Sequence, residues 1–266
     1  MLEHIVYLGL VDDADIELDK AALEISALDH PGRDLAGYLG LLETINARLE
    51  ARSGDARDPV EQAAGLAEVL ASDFGFEGDR ATYDDPANAN LISVMDRRRG
   101  LPIALAILYV ALARRLGWTA HALNTPAHVL VAVGARRHVV LDPFNRGAVI
   151  GPGQLAAFLR NAVGPAGAVS PTHVEPMTNR AALVRLLMNQ VTRAEAAQQL
   201  DRALTLLQRI TAFAPSYSFA WWRRARLEQA GGDVASARQS LTSMLEITRD
   251  PGVRTQVVTA LAALGS

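Results

Sequence analysis

Between Gly100 and Gly117 the chain runs Leu-Pro-Ile-Ala-Leu-Ala-Ile-Leu-Tyr-Val-Ala-Leu-Ala-Arg-Arg-Leu, with no charged side chain from Leu101 to Ala113. Pro102 suits the first turn of a helix, where its missing N–H would have no partner anyway. Gly117 suits the position just past the helix end, where a left-handed backbone is needed. A helix that is apolar nearly all round offers water no face, so the rest of the fold must enclose it. It is also shorter than the ~18 apolar residues that a membrane span requires, and it closes on Arg114 and Arg115. The chain is therefore expected to wrap a buried central helix.

The flanking sequence supplies the wrapping. Ile16, Leu18, Ala22, Ile25 and Leu28 recur at helical spacing, then His30-Pro31-Gly32 interrupts. Leu35, Leu39, Leu42, Ile45 and Leu49 form a second stripe that ends at Ser53-Gly54, and Pro59 opens a third helix with Leu66, Val69 and Leu70 inward. A polar loop, GFEGDRATYDDPANAN, precedes a short helix at about 88–97. After Gly117 the period changes to that of strands in TAHALN, HVLVAV and HVVLDPF, with Gly134-Ala135-Arg136 as a three-residue hairpin loop. Beyond a Pro/Gly/Ala linker near 162–176 the pattern is helical again. There Ala203, Leu207 and Pro215 recur as Ala237, Leu241 and Pro251, with Trp221, Ala225 and Gly232-Asp233 between them.

The 266 residues include no Cys, which removes disulfides, thiolate metal sites and a cysteine nucleophile. The net charge of −3 hides an asymmetry. Residues 1–90 hold 20 acidic and 6 basic side chains, and the remainder holds 9 acidic and 20 basic. The leading segment either covers the basic remainder in cis or presents an acidic face to a partner. A uniformly basic nucleic-acid binder is excluded. The six His show no HExxH or comparable ligand spacing, so neither metal nor cofactor is expected. With no basic, apolar leader and no membrane span in the pattern, a cytoplasmic protein is the expectation.

Catalytic chemistry has one candidate pair. If Val133 pairs with Arg137 across the hairpin, His128 faces Asp142, with Cβ atoms about 4.5–5.5 Å apart. A carboxylate so placed holds an imidazole in one tautomer, as the third member of a triad does. The same pair could equally be a plain structural hydrogen bond. His138 is either part of this cluster or exposed. The nearest hydroxyls in sequence are Ser93 and Thr125. Trp221-Trp222 with Arg223-Arg224 forms either a recognition surface or, for one of the Trp, core packing.

Asn90, Arg97-Arg98-Arg99-Gly100-Leu101-Pro102-Ile103-Ala104, Ala113-Arg114-Arg115-Leu116-Gly117, Pro126-Ala127-His128-Val129-Leu130 and Leu141-Asp142-Pro143-Phe144-Asn145-Arg146-Gly147 together resemble the bacterial SirB-type family. That family joins a transglutaminase-like core to C-terminal tetratricopeptide-like helices. The resemblance implies an α+β, mostly helical fold. Its papain/transglutaminase-like core, over 1–165, sets a central helix on a small antiparallel sheet, and an α-helical extension follows over 177–266. In active relatives of such a core a Cys begins the central helix, with His and Asp on neighbouring strands. His128 and Asp142 match the last two. The nucleophile position falls near Pro102, within Leu101-Pro102-Ile103-Ala104, where no side chain can attack a carbonyl. A serine found near the position of Ala104 in many SirB-type sequences is absent as well.

The function expected from sequence is thus a non-catalytic, degenerate transglutaminase-like protein that binds a protein or peptide as a scaffold or adaptor. The alternative is a hydrolase or amidase using His128–Asp142 with water or an unrecognised hydroxyl, and a third reading is a small-molecule sensor using the vestigial pocket.

Overall fold

The computed structural model describes residues 2–164 and 167–265. Of the linker read at 162–176, Pro165 and Ala166 lie outside the described residues. The chain opens with α1 (Leu2–Leu10), followed by α2 (Leu18–Ala27), α3 (Ala36–Ser53) and α4 (Pro59–Ala67), which runs into a π-helical stretch over Glu68–Asp73. Next come β1 (Glu77–Gly78), α5 (Leu91–Arg97), β2 (Arg99–Gly100) and α6 (Pro102–Arg115). The strands β3 (Ala120–Leu123), β4 (Leu130–Val133), β5 (Val139–Asp142) and β6 (Ala148–Ile150) lead to α7 (Pro152–Val163). Five helices complete the described chain: α8 (Asn179–Ala196), α9 (Leu200–Phe213), α10 (Ser218–Ala230), α11 (Val234–Ile247) and α12 (Pro251–Ala263). The fold is α+β and mostly helical, with a small antiparallel sheet.

These residues form two compact units, Asp12–Leu186, and Met1–Val11 with Leu187–Ser266. The sequence-based division fell at 165–177, whereas the contacts divide the chain inside α8.

In the first unit every residue of α6 from Pro102 to Ala113 is buried. The helix packs against α2, α3, β3 and β4, and Leu42, Ile45 and Leu49 of α3 are fully enclosed. Its exit is a complete Schellman motif. Gly117 adopts φ +74, its N–H donates to the Arg114 carbonyl, and the Trp118 N–H donates to that of Ala113. The sheet runs β3-β4-β5-β6, antiparallel throughout. Three of its strands are the predicted ones, and β6 is an addition. β1 and β2 pair in parallel beside it.

The basic triplet before Gly100 has structural work. Arg97 reaches Asn88 at 2.8 Å and Asp79 at 3.5 Å, tying down the polar loop. Arg98 takes φ +58 and lays its guanidinium over the Phe76 ring. Arg99 pairs with Glu77 at 2.8 Å.

In the second unit α9 and α11 occupy the two repeats read from the sequence. Ala203 and Ala237 are both fully buried, as are Leu207 and, nearly so, Leu241. Gly232 supplies the turn with φ +82, and the Asp233 carboxylate caps α11 by accepting from the Ser236 N–H at 3.0 Å. No helix among the described residues is long and apolar enough to cross a membrane.

Candidate functional site

The β4–β5 hairpin differs from the expected register. Val133 pairs with Val139, not Arg137, and Val131 pairs with Leu141. The connection therefore spans five residues, 134–138, instead of three. His128 lies before β4, and the pairing extended back would set it opposite Phe144. A shift of two positions preserves which face each side chain takes, so His128 reaches Asp142 as a diagonal neighbour. The imidazole Nε2 lies 2.8 Å from Asp142 Oδ1.

A strained local turn aims the imidazole. Ala127 adopts φ +61, and the His128 N–H donates back to the Pro126 carbonyl at 2.7 Å. A non-glycine residue in the left-handed region costs ~1–2 kcal/mol and persists only where its surroundings enforce it. Thr125 provides the enforcement: its buried hydroxyl donates to the His128 carbonyl and accepts from the Leu130 N–H at 3.3 Å. The hydroxyl weighed from sequence as a nucleophile is thus engaged with the His128 backbone. The ring itself meets Phe144 and Phe158 edge-on, each with centroids 5.5 Å away.

Asp142 is buried at the mouth of an Asx turn. Its Oδ1 also accepts from the N–H groups of Phe144 at 3.0 Å and Asn145 at 3.2 Å, and the Asn145 amide donates to Oδ2 at 2.5 Å. Burial alone would raise the carboxyl pKa. The hydrogen bond and charge of His128, with the bonds from Asn145, outweigh it and hold the group below the ordinary aspartate range. Both lone-pair sets of this carboxylate are therefore committed to orientation.

At the start of α6, Leu101, Pro102, Ile103 and Ala104 are all buried. One helix face further on, Tyr109 has a fully buried hydroxyl with no hydrogen-bond partner among the described residues, and burial pushes its pKa up. A Cβ on Gly147 would come within 2.9 Å of that hydroxyl.

Phe144 and Asn145 border a cavity of about 350 Å³, also lined by Glu77, Arg80, Arg99 and Arg146. Glu77 joins two of the arginines, with Arg99 at 2.8 Å and Arg146 at 2.6 Å. Arg80 lies over the Phe144 ring and bonds the Asn145 side chain. Sequence reasoning gives no role to Phe144, Asn145 or Phe158, and names Thr125 only as a nearby hydroxyl. The Asp-Pro-x-Asn turn signature was the available signal for Asn145.

The remaining candidates lie elsewhere. His138 is exposed in the 134–138 connection, outside β5. Among the described residues no group of three or more His, Asp or Glu is placed to hold a metal. Within the second unit, Trp221 donates to the Pro215 carbonyl at 2.8 Å, and Trp221 and Trp222 are half-buried against Ala225, Leu241 and Met244. Arg223 pairs with Glu195, and Arg224 pairs with Glu228 at 2.8 Å while lying over the Trp221 ring. All four side chains spend their contacts inside the helical array.

A family model described as the transglutaminase-like superfamily matches residues 36–188, which include α6, all six strands and the His128–Asp142 pair. A UPF0162 protein of Xylella fastidiosa (strain 9a5c) is 29% identical over 245 residues, covering 90% of this chain and 87% of its own length. A second UPF0162 protein, from Xylella fastidiosa (strain Temecula1 / ATCC 700964), is 30% identical over 214 residues, covering 79% and 76%. Human F-box only protein 21 is 33% identical over 88 residues, which are 30% of this chain and 14% of that protein. With more than half of the chain matched by the family model, and both UPF0162 relatives aligned over most of their length, the chain belongs to the transglutaminase-like superfamily.

Proposed function

We propose that the chain is a non-catalytic member of its superfamily, a scaffold or adaptor that binds a protein or peptide segment at the face around His128, Asp142 and Phe144. The observation that carries this reading is the burial of Leu101-Pro102-Ile103-Ala104 at the head of α6, where active relatives would place a thiol. Covalent acyl transfer needs a thiol or hydroxyl within hydrogen-bond reach of the base. The imidazole instead has Asp142 on Nε2 and two phenyl edges beside it. His128 and Asp142 then serve as a brace that fixes the β5–β6 turn, and with it Phe144 and the arginine-lined cavity. The tetratricopeptide-like reading of α9–α12 adds a helical array of the kind that binds peptides or helices. A cytoplasmic location and the SirB-type assignment belong to the same proposal.

The test sets activity against binding. The purified chain is assayed for amide hydrolysis on acyl anilides and for amine incorporation into a glutamine peptide, beside His128→Ala. The scaffold reading expects neither variant to turn over substrate. It also expects a partner isolated on the immobilised chain and then purified to bind the wild type stoichiometrically, and His128→Ala at least ten-fold more weakly. Turnover that His128→Ala abolishes would establish the hydrolase reading instead. Equal binding by both variants would remove this face from the account.

A further inference from the structure

A second cavity, of about 580 Å³, opens in the Asp12–Leu186 unit at the outer edge of β3, away from His128 and Asp142. That volume is in the range of small-molecule sites. Residues 175–177 cover most of the strand edge. The Met177 N–H donates to the Ala122 carbonyl at 2.8 Å, and Asn124 donates to that of Glu175 at 2.9 Å. The cover stops short of Ala120 and His121, and the cavity begins there. Its apolar wall comes from Trp118, Ala120, Pro176 and Met177.

Two of the polar groups on this wall, Arg114 and His121, are donors. Arg114 gives one N–H each to the Ala120 carbonyl at 2.9 Å, Asn179 Oδ1 at 2.6 Å and His121 Nδ1 at 3.3 Å. A guanidinium carries five N–H bonds, so two are left over, although the charge of Asp13 on the same wall also acts on it. Because arginine can only donate, His121 Nδ1 must accept, which puts the imidazole proton on Nε2 and makes that atom a donor too. Burial, reinforced by the Arg114 charge, pushes the His121 pKa down and keeps this neutral form. Trp118 is 6% exposed and adds apolar surface to the cavity. The one carboxylate on the wall, Asp13, is already taken. Its two oxygens accept from the N–H groups of Asn179 at 2.9 Å and Arg180 at 2.8 Å, at the start of α8.

We propose that this cavity binds a small-molecule monocarboxylate with an apolar body, its carboxylate received by Arg114 and His121 Nε2–H, and its body lying on Trp118, Ala120, Pro176 and Met177. The carboxylate supplies the acceptors that the wall lacks. The apolar body distinguishes the ligand from inorganic anions, which could not cover the hydrocarbon surface.

The test uses three ligands of equal chain length, octanoate, octanol and octylamine, titrated calorimetrically into the full chain. Octanoate is expected to bind saturably with one site, octanol at least ten-fold more weakly, and octylamine without saturation. His121→Phe keeps a ring and removes the Nε2–H, and is expected to weaken octanoate about ten-fold while circular dichroism stays unchanged. Should His121→Phe fail to fold, His121→Leu carries the same expectation. Absence of saturable octanoate binding, equal binding of octylamine, or unchanged affinity in the folded variant would overturn the proposal. N-acetyl-alanyl-leucine bound in place of octanoate would overturn it as well, in favour of a peptide C-terminus.

Discussion

Asp142 does more for this fold than its partner does. It accepts from one imidazole, two backbone N–H groups and one side-chain amide, so a neutral isostere that offers N–H in place of one oxygen confronts donors with a donor. Asp142→Asn is expected to cost about 1–3 kcal/mol at pH 7, read from urea denaturation. The pH dependence has a definite sign. A carboxyl held below its unfolded value contributes fully above the unfolded pKa of ~3.9, and the contribution disappears as pH falls through the folded one. The gap between wild type and Asp142→Asn should therefore be widest at neutral pH and should narrow below about pH 4. A gap independent of pH would mean that geometry, not charge, carries the effect. The pairing of His128 with Asp142 was legible from sequence because their side chains share a face whichever even register the hairpin takes. The brace of Asn145 and Thr125 was not, because each acts through backbone groups that leave no mark on residue type.

At the scale of elements, legibility followed hydrophobic contrast. Helix α6 was visible in full because its composition admits no exposed face, and α3 was visible through Leu42, Ile45 and Leu49. Strand β6 was not, since Ala148 and Val149 are exposed and Ile150 is half-buried, so no alternation signals it. The hairpin register was misread for a related reason. Ala135 to His138 are all exposed, and nothing hydrophobic marks where the loop ends. Gly134 takes φ +109, which a turn can demand at several loop lengths. The small parallel pair β1–β2 matters beyond its size, because Gly78 of β1 lies against the face of Phe144. A Cβ there would overlap the ring, and Phe144 meets both His128 and Tyr83 edge-on. Gly78→Ala is expected to displace the ring, cost about 1–3 kcal/mol, and shift the His128 imidazole resonances in NMR spectra. Unchanged His128 resonances would show that Phe144 does not transmit position between β1 and the site.

For the molecule as a whole, part of the charge asymmetry is met in cis within the Asp12–Leu186 unit. Arginines of the middle segment bind acids of the leading one: Arg97 with Asp79 and Asp85, Arg99 and Arg146 with Glu77, and Arg115 with Asp19 and Glu43. The two partners of Arg115 separate burial from mere proximity. Both lie close, at 2.7 Å for Asp19 and 2.6 Å for Glu43, yet the Asp19 side chain is 4% exposed and that of Glu43 is 67% exposed. An exposed pair is screened by water and salt and contributes ~0–1 kcal/mol. A buried charge that loses its partner is left unpaid in a poor solvent, at a cost of several kcal/mol. Arg115→Ala strands Asp19 at the start of α2, and because the guanidinium is itself 20% exposed the expected loss is about 2–4 kcal/mol, below the fully buried limit. Glu43→Ala should cost less than about 1 kcal/mol, and less still in molar salt, where screening acts within a few ångströms. Urea midpoints of the two variants at low and high salt decide the point. Equal losses, or an Arg115→Ala loss that vanishes in salt, would place the weight on the exposed acidic surface, and so return the leading segment to the role of a face held out for a partner.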